Sequence, residues 1–225
     1  MKRSEVNAAL LEAREMLQSC GWTLPTWADW NLHDYEQQPD IAHYLRQHQM
    51  GWDVTDFGSG NFPARGLTLF CLRNGVQSDT ASKPYAEKLL FIGENQETPF
   101  HRHQVKMEDI INRGGGILTV EFCHADADDK TPIEVAVDGI PNICNPHEPL
   151  RLQRGQSVTM TRGLYHRFYA EAGSGMVLGG EVSQVNDDET DNYFLDPVGR
   201  FSAIEEDEIA ATLLWNEIPV TGLTN

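Results

Sequence analysis

The chemistry in this chain concentrates in four side chains. His101 and His103 stand two apart, Glu108 follows five residues later, and His166 lies far downstream in GQSVTMTRGLYHRFY. Residues two apart on an extended strand point to the same side. A carboxylate beyond a bend can close on the same point, and a histidine from another strand can complete it. Three neutral imidazoles and one carboxylate suit a divalent transition metal. Two histidines alone would be weak evidence, because half-buried strands often carry polar residues on one face. The carboxylate at this spacing, Gly115 after it, and Gly163 three residues before His166 make the pattern specific. Four protein ligands leave about two positions open on a six-coordinate ion. Two adjacent open positions fit a 1,2-diol or a hydroxy-carbonyl, whose carbonyl the metal would polarise.

A proton-transfer group must be free of the metal. Glu181 sits in Gly179-Gly180-Glu181-Val182, where the glycines permit close approach and a strand can aim it inward. A carboxylate in an apolar barrel tends to a raised pKa, which suits a proton shuttle. The alternative is a supporting role beside a histidine ligand or Lys106. Lys106 lies between His103 and Glu108. It can bind a substrate oxygen and neutralise developing negative charge, or it can be an exposed lysine on a bend.

The elements that must position these groups read as follows. Ser4 to Cys20 has Val6, Leu10, Ala13 and Leu17 at helical spacing, with Ser4 as the cap and Gly21 at the end. Trp22, Trp27 and Trp30 are expected to pack this helical segment onto a barrel, or one of them to meet a ligand face. A second helix fits Gln37 to Gln49, so residues 1 to about 50 form a helical N-terminal segment. Gly51 to Pro63 reads as turns. Short strand-like runs then recur: 67–72, 85–93, 117–122, 133–137, 150–152, 157–160, 168–170 and 176–182. Asn74-Gly75 and Asp138-Gly139 read as hairpin turns, Pro99 as a break before the metal strand, and His124 to Asp129 as a hairpin tip. Asn186 to Asn192 is an acidic loop. Ser202-x-x-Glu205 reads as a capping box, which predicts a C-terminal helix over about 203–216. The expectation is one mainly β domain over 1–225, an antiparallel barrel with helical extensions at both ends.

With 225 residues, 40% hydrophobic and 23% charged, the chain is long enough for one well-packed domain. A net charge of −17 disfavours nucleic acid and anionic membranes, and is compatible with a neutral ligand. Cys20, Cys71, Cys123 and Cys144 have no CxxC spacing, and reduced, partly buried thiols are expected. No signal peptide or membrane-length apolar run is found, so the expected location is the cytoplasm.

His101, His103, Glu108 and Gly115, with Gly93 leading, resemble the first cupin motif; Gly155, Gly163 and His166 resemble the second. Thr161 stands where proline is usual and Ala170 where asparagine is usual, departures that concern turn shape and not the ligands. Nearly the whole chain resembles the bacterial D-lyxose isomerases, above all in FHRHQVKMEDIINRGGG and GEVSQVNDDETDN. The resemblance implies a cupin barrel (jelly roll), a Mn2+ centre and aldose–ketose isomerisation of a free monosaccharide. That is D-lyxose to D-xylulose, and by the same chemistry D-mannose to D-fructose. Co2+, Fe2+ or Zn2+ could fill the same ligands. Asp188 and Asp191 then become candidates for sugar hydroxyls, and Arg162 for the pocket mouth. The helical ends suggest a homodimer. The metal pattern alone also fits an Fe(II) dioxygenase, and a non-catalytic sugar-binding cupin is a further alternative.

Overall fold

The computed structural model of the chain describes residues 1–126 and 129–220. Three helices come first: α1 (Arg3–Ser19), α2 (Leu32–Gln37) and α3 (Pro39–Gln47). Thirteen strands follow: β1 (Gly51–Thr55), β2 (Leu67–Arg73), β3 (Tyr85–Ile92), β4 (Thr98–Arg102), β5 (Glu108–Gly115), β6 (Leu118–Cys123), β7 (Ile133–Val137), β8 (Ile140–Cys144), β9 (Leu150–Leu152), β10 (Ser157–Met160), β11 (Tyr165–Ala170), β12 (Val177–Gln184) and β13 (Tyr193–Phe194). Among the described residues, every pairing between these strands is antiparallel. One sheet runs β1-β2-β3-β12-β5-β10-β7-β8 and the other β13-β4-β11-β6-β9.

The mainly β class is as expected. The expected cupin-type jelly roll takes the form of two facing sheets with distinct edge strands, so the barrel does not close. The main core lies between them, with Leu69, Leu90, Ile110, Val120, Phe122, Val158 and Phe168 buried. A second core lies on the outer face of the larger sheet. There Val6, Leu10, Ala13 and Leu17 of α1 meet Trp52, Phe70, Leu89 and Phe91. Alternation along β3 explains both: Leu90 and Ile92 face the inner core, Leu89 and Phe91 the helix. Trp27 stacks on Phe70 at 5.0 Å, and Trp22 and Trp30 pack in the same outer layers. The tryptophans therefore fasten the helical segment to the sheet.

Several local expectations are corrected. Helix α1 begins at Arg3 with Lys2 as its cap; the Ser4 hydroxyl instead donates to Asp207 at 2.8 Å. Residues 51–55 form a fully buried strand, because Trp52 and Val54 alternate under the helix. Pro99 lies within β4 and not before it. Asn74 makes no tight turn; its Nδ2 donates to the carbonyls of His48 and Asn186 at 3.1 and 2.8 Å. Asp138-Gly139 does close β7 onto β8, both residues having positive φ. The run 124–129 joins strands of opposite sheets and so is no hairpin; 127 and 128 lie outside the described residues.

The C-terminal helix is also absent. Only Trp215–Glu217 forms a short 3₁₀ turn. Glu205 makes a strand-like bridge with Lys2, and the Arg3 amide donates to the Glu205 carbonyl at 2.8 Å. The buried Arg3 guanidinium pairs with Glu206 at 2.6 Å and also with Glu217. Asn7 binds the Ile209 carbonyl. The segment's polar groups are thus taken by α1, and Ser202 binds Asp56 in place of capping a helix. Tertiary contacts override the local signal.

Candidate active site

Strand register assembles the site. His166 of β11 is the direct partner of His101 of β4. Glu181 of β12 is the partner of Lys88 of β3 and of Ile110 of β5, while Ser183 faces Glu108. Inward side chains of both sheets therefore meet at one end of the sandwich. His103 lies just past β4, and Lys106 lies in the bend before β5.

His101, His103, Glu108 and His166 are all buried, and one ligand atom from each lies within 4.8 Å of the others. Nε2 of His166 is 3.1 Å and Nε2 of His103 3.4 Å from Glu108 Oε1. Bonds of about 2.1 Å to a common ion would set ligands at right angles about 3.0 Å apart, so the spacing fits. The proton placement fits as well. Nδ1 of His101, His103 and His166 lies 2.8, 2.6 and 3.1 Å from the carbonyls of Pro99, Asp191 and Leu164. A carbonyl only accepts, so each Nδ1 carries the ring proton and each Nε2 presents a lone pair. Burial, with His166 and His103 beside it, pushes His101 well below the usual histidine range, which keeps that ring neutral. His166 Nε2 is buried without a hydrogen bond. Lone pairs and a carboxylate oxygen converging without a proton between them repel one another; a cation among them reverses the sign. The residues present fit a divalent metal.

Beside the ligands lies a lysine–carboxylate network. Lys106 Nζ is 2.6 Å from Glu181 Oε1, 2.7 Å from Glu108 Oε2 and 3.0 Å from Asn186 Oδ1. Its ammonium donates hydrogen bonds to Glu181 and Asn186 and pairs with Glu108 by charge. Burial would lower its pKa, but Glu108 and Glu181 together raise it above the ordinary lysine value. Lys106 is buried and charged, not an exposed lysine on a bend. Burial opposes the charge on Glu108, yet the Lys106 ammonium beside it holds its pKa well below the usual carboxylate range. The expected apolar setting of Glu181 is corrected. Lys106 and Lys88 (3.6 Å from Oε2) flank it, and Ser183 donates to it at 3.0 Å.

Asp188 is buried and lines the same cavity, 3.5 Å from Lys88 and 3.2 Å from Arg200. Asp191 is buried but does not line it. Its carboxylate accepts from the backbone amides of Gln104 (2.8 Å), Val105 (3.0 Å) and Lys106 (3.1 Å). It therefore shapes the ligand loop and has no oxygen directed at a substrate. Arg162 is exposed outside the cavity, its guanidinium held by the Val105 carbonyl and Gln184. The cavity leaves about 30 Å³ for the centres of water-sized molecules, and Phe57, Leu69, Phe168 and Phe194 supply its apolar wall. None of Trp22, Trp27 or Trp30 lines it.

Sequence reasoning missed Lys88, Arg200 and Asn186. Lys88 left a signal, a lone cation in the apolar strand YAEKLLFI. Arg200 left none, because a loop of fifteen residues beyond β12 brings it back.

Residues 1–218 match the D-lyxose isomerase family. The D-lyxose/D-mannose isomerase of Escherichia coli O157:H7 is 45% identical over 222 residues, covering 96% of this chain and 98% of that protein. The enzyme of the same name from Serratia proteamaculans is 42% identical over 226 residues, covering 96% and 97%. In structure, the L-ribose isomerases of Acinetobacter sp. DL28 and Cellulomonas parahominis match with TM-scores of 0.62 and 0.61, at 15% and 16% identity. Each match covers 91% of this chain and 98% of theirs, a likeness of fold. Match and site agree: the chain belongs to the D-lyxose isomerase family and is an aldose–ketose isomerase.

Proposed function

We propose that this chain is a Mn2+-dependent isomerase converting D-lyxose to D-xylulose, with D-mannose to D-fructose as a second reaction of the same site. The observation that carries the reading is the contact between two assemblies. Lys106 touches both Glu108 of the converging ligand set and the non-ligand Glu181. Oxygen activation needs no such acid–base pair, and an isomerase does. His101, His103, Glu108 and His166 would hold the metal. When bound, the ion supplies a Lewis acid that polarises the carbonyl of the open-chain sugar.

Glu181 acts as the base. It takes the proton from C2 of the aldose, and the C–H electron pair becomes the C1–C2 double bond of a cis-enediol(ate). Delivery of a proton from Glu181 to C1, while the C2 hydroxyl passes its proton to O1 and its oxygen becomes the carbonyl, gives the ketose; exchange of the Glu181 proton with solvent in between places deuterium at C1. The hydrogen bonds that Glu181 accepts from Lys106 and Ser183 fix its direction. Lys106 places fixed positive charge where negative charge develops on oxygen. Asp188 accepts a hydroxyl further along the sugar. The reading takes in a cytoplasmic homodimer, and sedimentation of the metal-loaded chain measures the oligomeric part.

The test is proton NMR of metal-stripped, Mn2+-reloaded protein with D-lyxose in D2O without oxygen. Xylulose carrying deuterium at the transferred position is expected, and Glu181→Gln should abolish it with metal still bound. No ketose from either D-lyxose or D-mannose would refute the assignment. Turnover by Glu181→Gln at the native rate would refute the base.

A further inference from the structure

Arg200 is the cavity's unaccounted cation. It ends the strap that follows β13, and its carbonyl accepts from Thr55 Oγ1 at 2.8 Å. Its side chain is only 10% exposed. One terminal nitrogen, Nη2, is shared by Asp53 Oδ2 at 2.7 Å and Asp188 Oδ2 at 3.2 Å. The other, Nη1, is buried without an acceptor. Buried guanidinium nitrogens ordinarily have partners, and Arg200 lines the cavity that contains the ligand set.

The polar groups form an ordered series along that cavity. Glu108 touches Lys106, Lys106 touches Glu181, Glu181 faces Lys88, Lys88 faces Asp188, and Asp188 touches Arg200. The carbonyl end of a sugar belongs beside Lys106 and Glu181. Arg200 stands at the opposite end of the series. Asp53 does not line the cavity and holds Arg200 from behind.

We propose that Arg200 Nη1 donates to the hydroxyl at the end of the sugar remote from the carbonyl, making Arg200 a specificity residue, and that Asp53 is its positioning residue. The proposal rests on the isomerase reading above and adds where the far end of the chain is recognised. A charged donor meeting a hydroxyl in a buried site contributes about 1.5–3 kcal/mol, which corresponds to about 10- to 150-fold in kcat/KM.

The experiment compares D-lyxose with 5-deoxy-D-lyxose on the Mn2+-loaded enzyme and its Arg200→Lys, Arg200→Met and Asp53→Asn variants. Arg200→Lys keeps a charge between Asp53 and Asp188 but loses the forked second donor, so it serves if Arg200→Met does not fold. The native enzyme should prefer D-lyxose by about 10- to 150-fold. Both Arg200 variants should lose activity on D-lyxose and change on the deoxy sugar by less than about threefold, within the scatter of additivity. Asp53→Asn should raise KM for D-lyxose alone, a selectivity that general loosening would not produce. Equal losses on both sugars, or no native preference, would overturn the proposal while leaving the isomerase intact. A native enzyme inactive on D-lyxose would overturn the isomerase reading and this one with it.

Discussion

Replacing Lys106 by methionine removes one positive charge from between two buried carboxylates. The ammonium sits 2.7 Å from Glu108 and 2.6 Å from Glu181, with all three side chains at most 8% exposed. Removing one member of a buried pair costs about 3–5 kcal/mol. Glu181 keeps Lys88 at 3.6 Å, so Glu108 bears most of the loss in metal-free protein. For a chain of this size each kcal/mol moves Tm by about 2–4 °C, which predicts a fall of about 6–20 °C with chelator present. A divalent ion changes the arithmetic, because it neutralises Glu108 directly. In Mn2+-loaded protein only the partial loss at Glu181 remains, and the expected cost is about 1–2 kcal/mol. Adding Glu181→Gln to Lys106→Met removes that second uncompensated charge and should restore part of the loss. Thermal unfolding followed by circular dichroism, with chelator and with Mn2+, measures all four states. An equal loss in both metal states, or a loss below about 1 kcal/mol without metal, would refute the bridging role.

Three further outcomes are expected. Mn2+ at 100 times its Kd should stabilise the chain by about 2.7 kcal/mol, and His166→Gln should abolish that gain in a melt while leaving the chelated protein folded. Asp191→Ala frees three loop amides at once; it should cost about 2–4 kcal/mol in urea unfolding and weaken Mn2+ affinity measured by calorimetry, because the lost carboxylate contacts hold in place the backbone carbonyl that accepts from His103 Nδ1. At Asp56, burial raises the pKa but hydrogen bonds from Ser202, Gly58 and Gly60 outweigh it and hold the carboxyl below its ordinary value. Its contribution is therefore present above the unfolded pKa of about 3.9 and lost as pH falls through the folded one, so Asp56→Asn should lower Tm at pH 7 and flatten the acid limb of a Tm-against-pH curve.

What the sequence made legible was periodic or local. The α1 stripe and most strands follow from spacing alone, and the candidate ligand set follows because His101 at the end of β4 and His103 just beyond it turn to the same side. Misreadings arose where distant chain supplied the partners. The acidic run after Ser202 resembles a helix start, yet Arg3, Ser4 and Asn7 take its polar groups and hold it extended. Gly51 and Asp53 read as turn residues, yet Trp52 and Val54 commit the segment to a buried strand. The run 186–192 reads as an acidic loop, with Asp188 and Asp191 as candidates for sugar hydroxyls. It turned inward because Asp188 meets two cations and Asp191 meets three amides, neither visible as a spacing. Glu181 was legible as an inward carboxylate, but its flanking lysines were not. Lys88 reaches it across a strand pair, and Lys106 reaches it from a bend.

The charge of the whole chain and the charge of its cavity have opposite consequences. At −17 the protein disfavours anions at long range. The cavity lining instead sets Lys88, Lys106 and Arg200 against Glu108, Glu181 and Asp188. Three cations and three carboxylates cancel, and a histidine that offers Nε2 to a metal adds no charge. A divalent ion then leaves the lining with an excess of two positive charges inside an anionic protein. Proton removal from a sugar creates one negative charge on oxygen, and the lysines and arginine are already fixed by carboxylates when it appears. Such fixed charges need no rearrangement as the reaction proceeds, whereas surface acids act through water and salt. Substituting Lys88 or Lys106, the lining cations beside Glu181, should therefore act on kcat, while reversing surface acids far from the mouth should leave kcat and its salt dependence unchanged. A kcat that rose steeply with ionic strength would show instead that the global charge governs the reaction, and the local balance would lose its explanatory place.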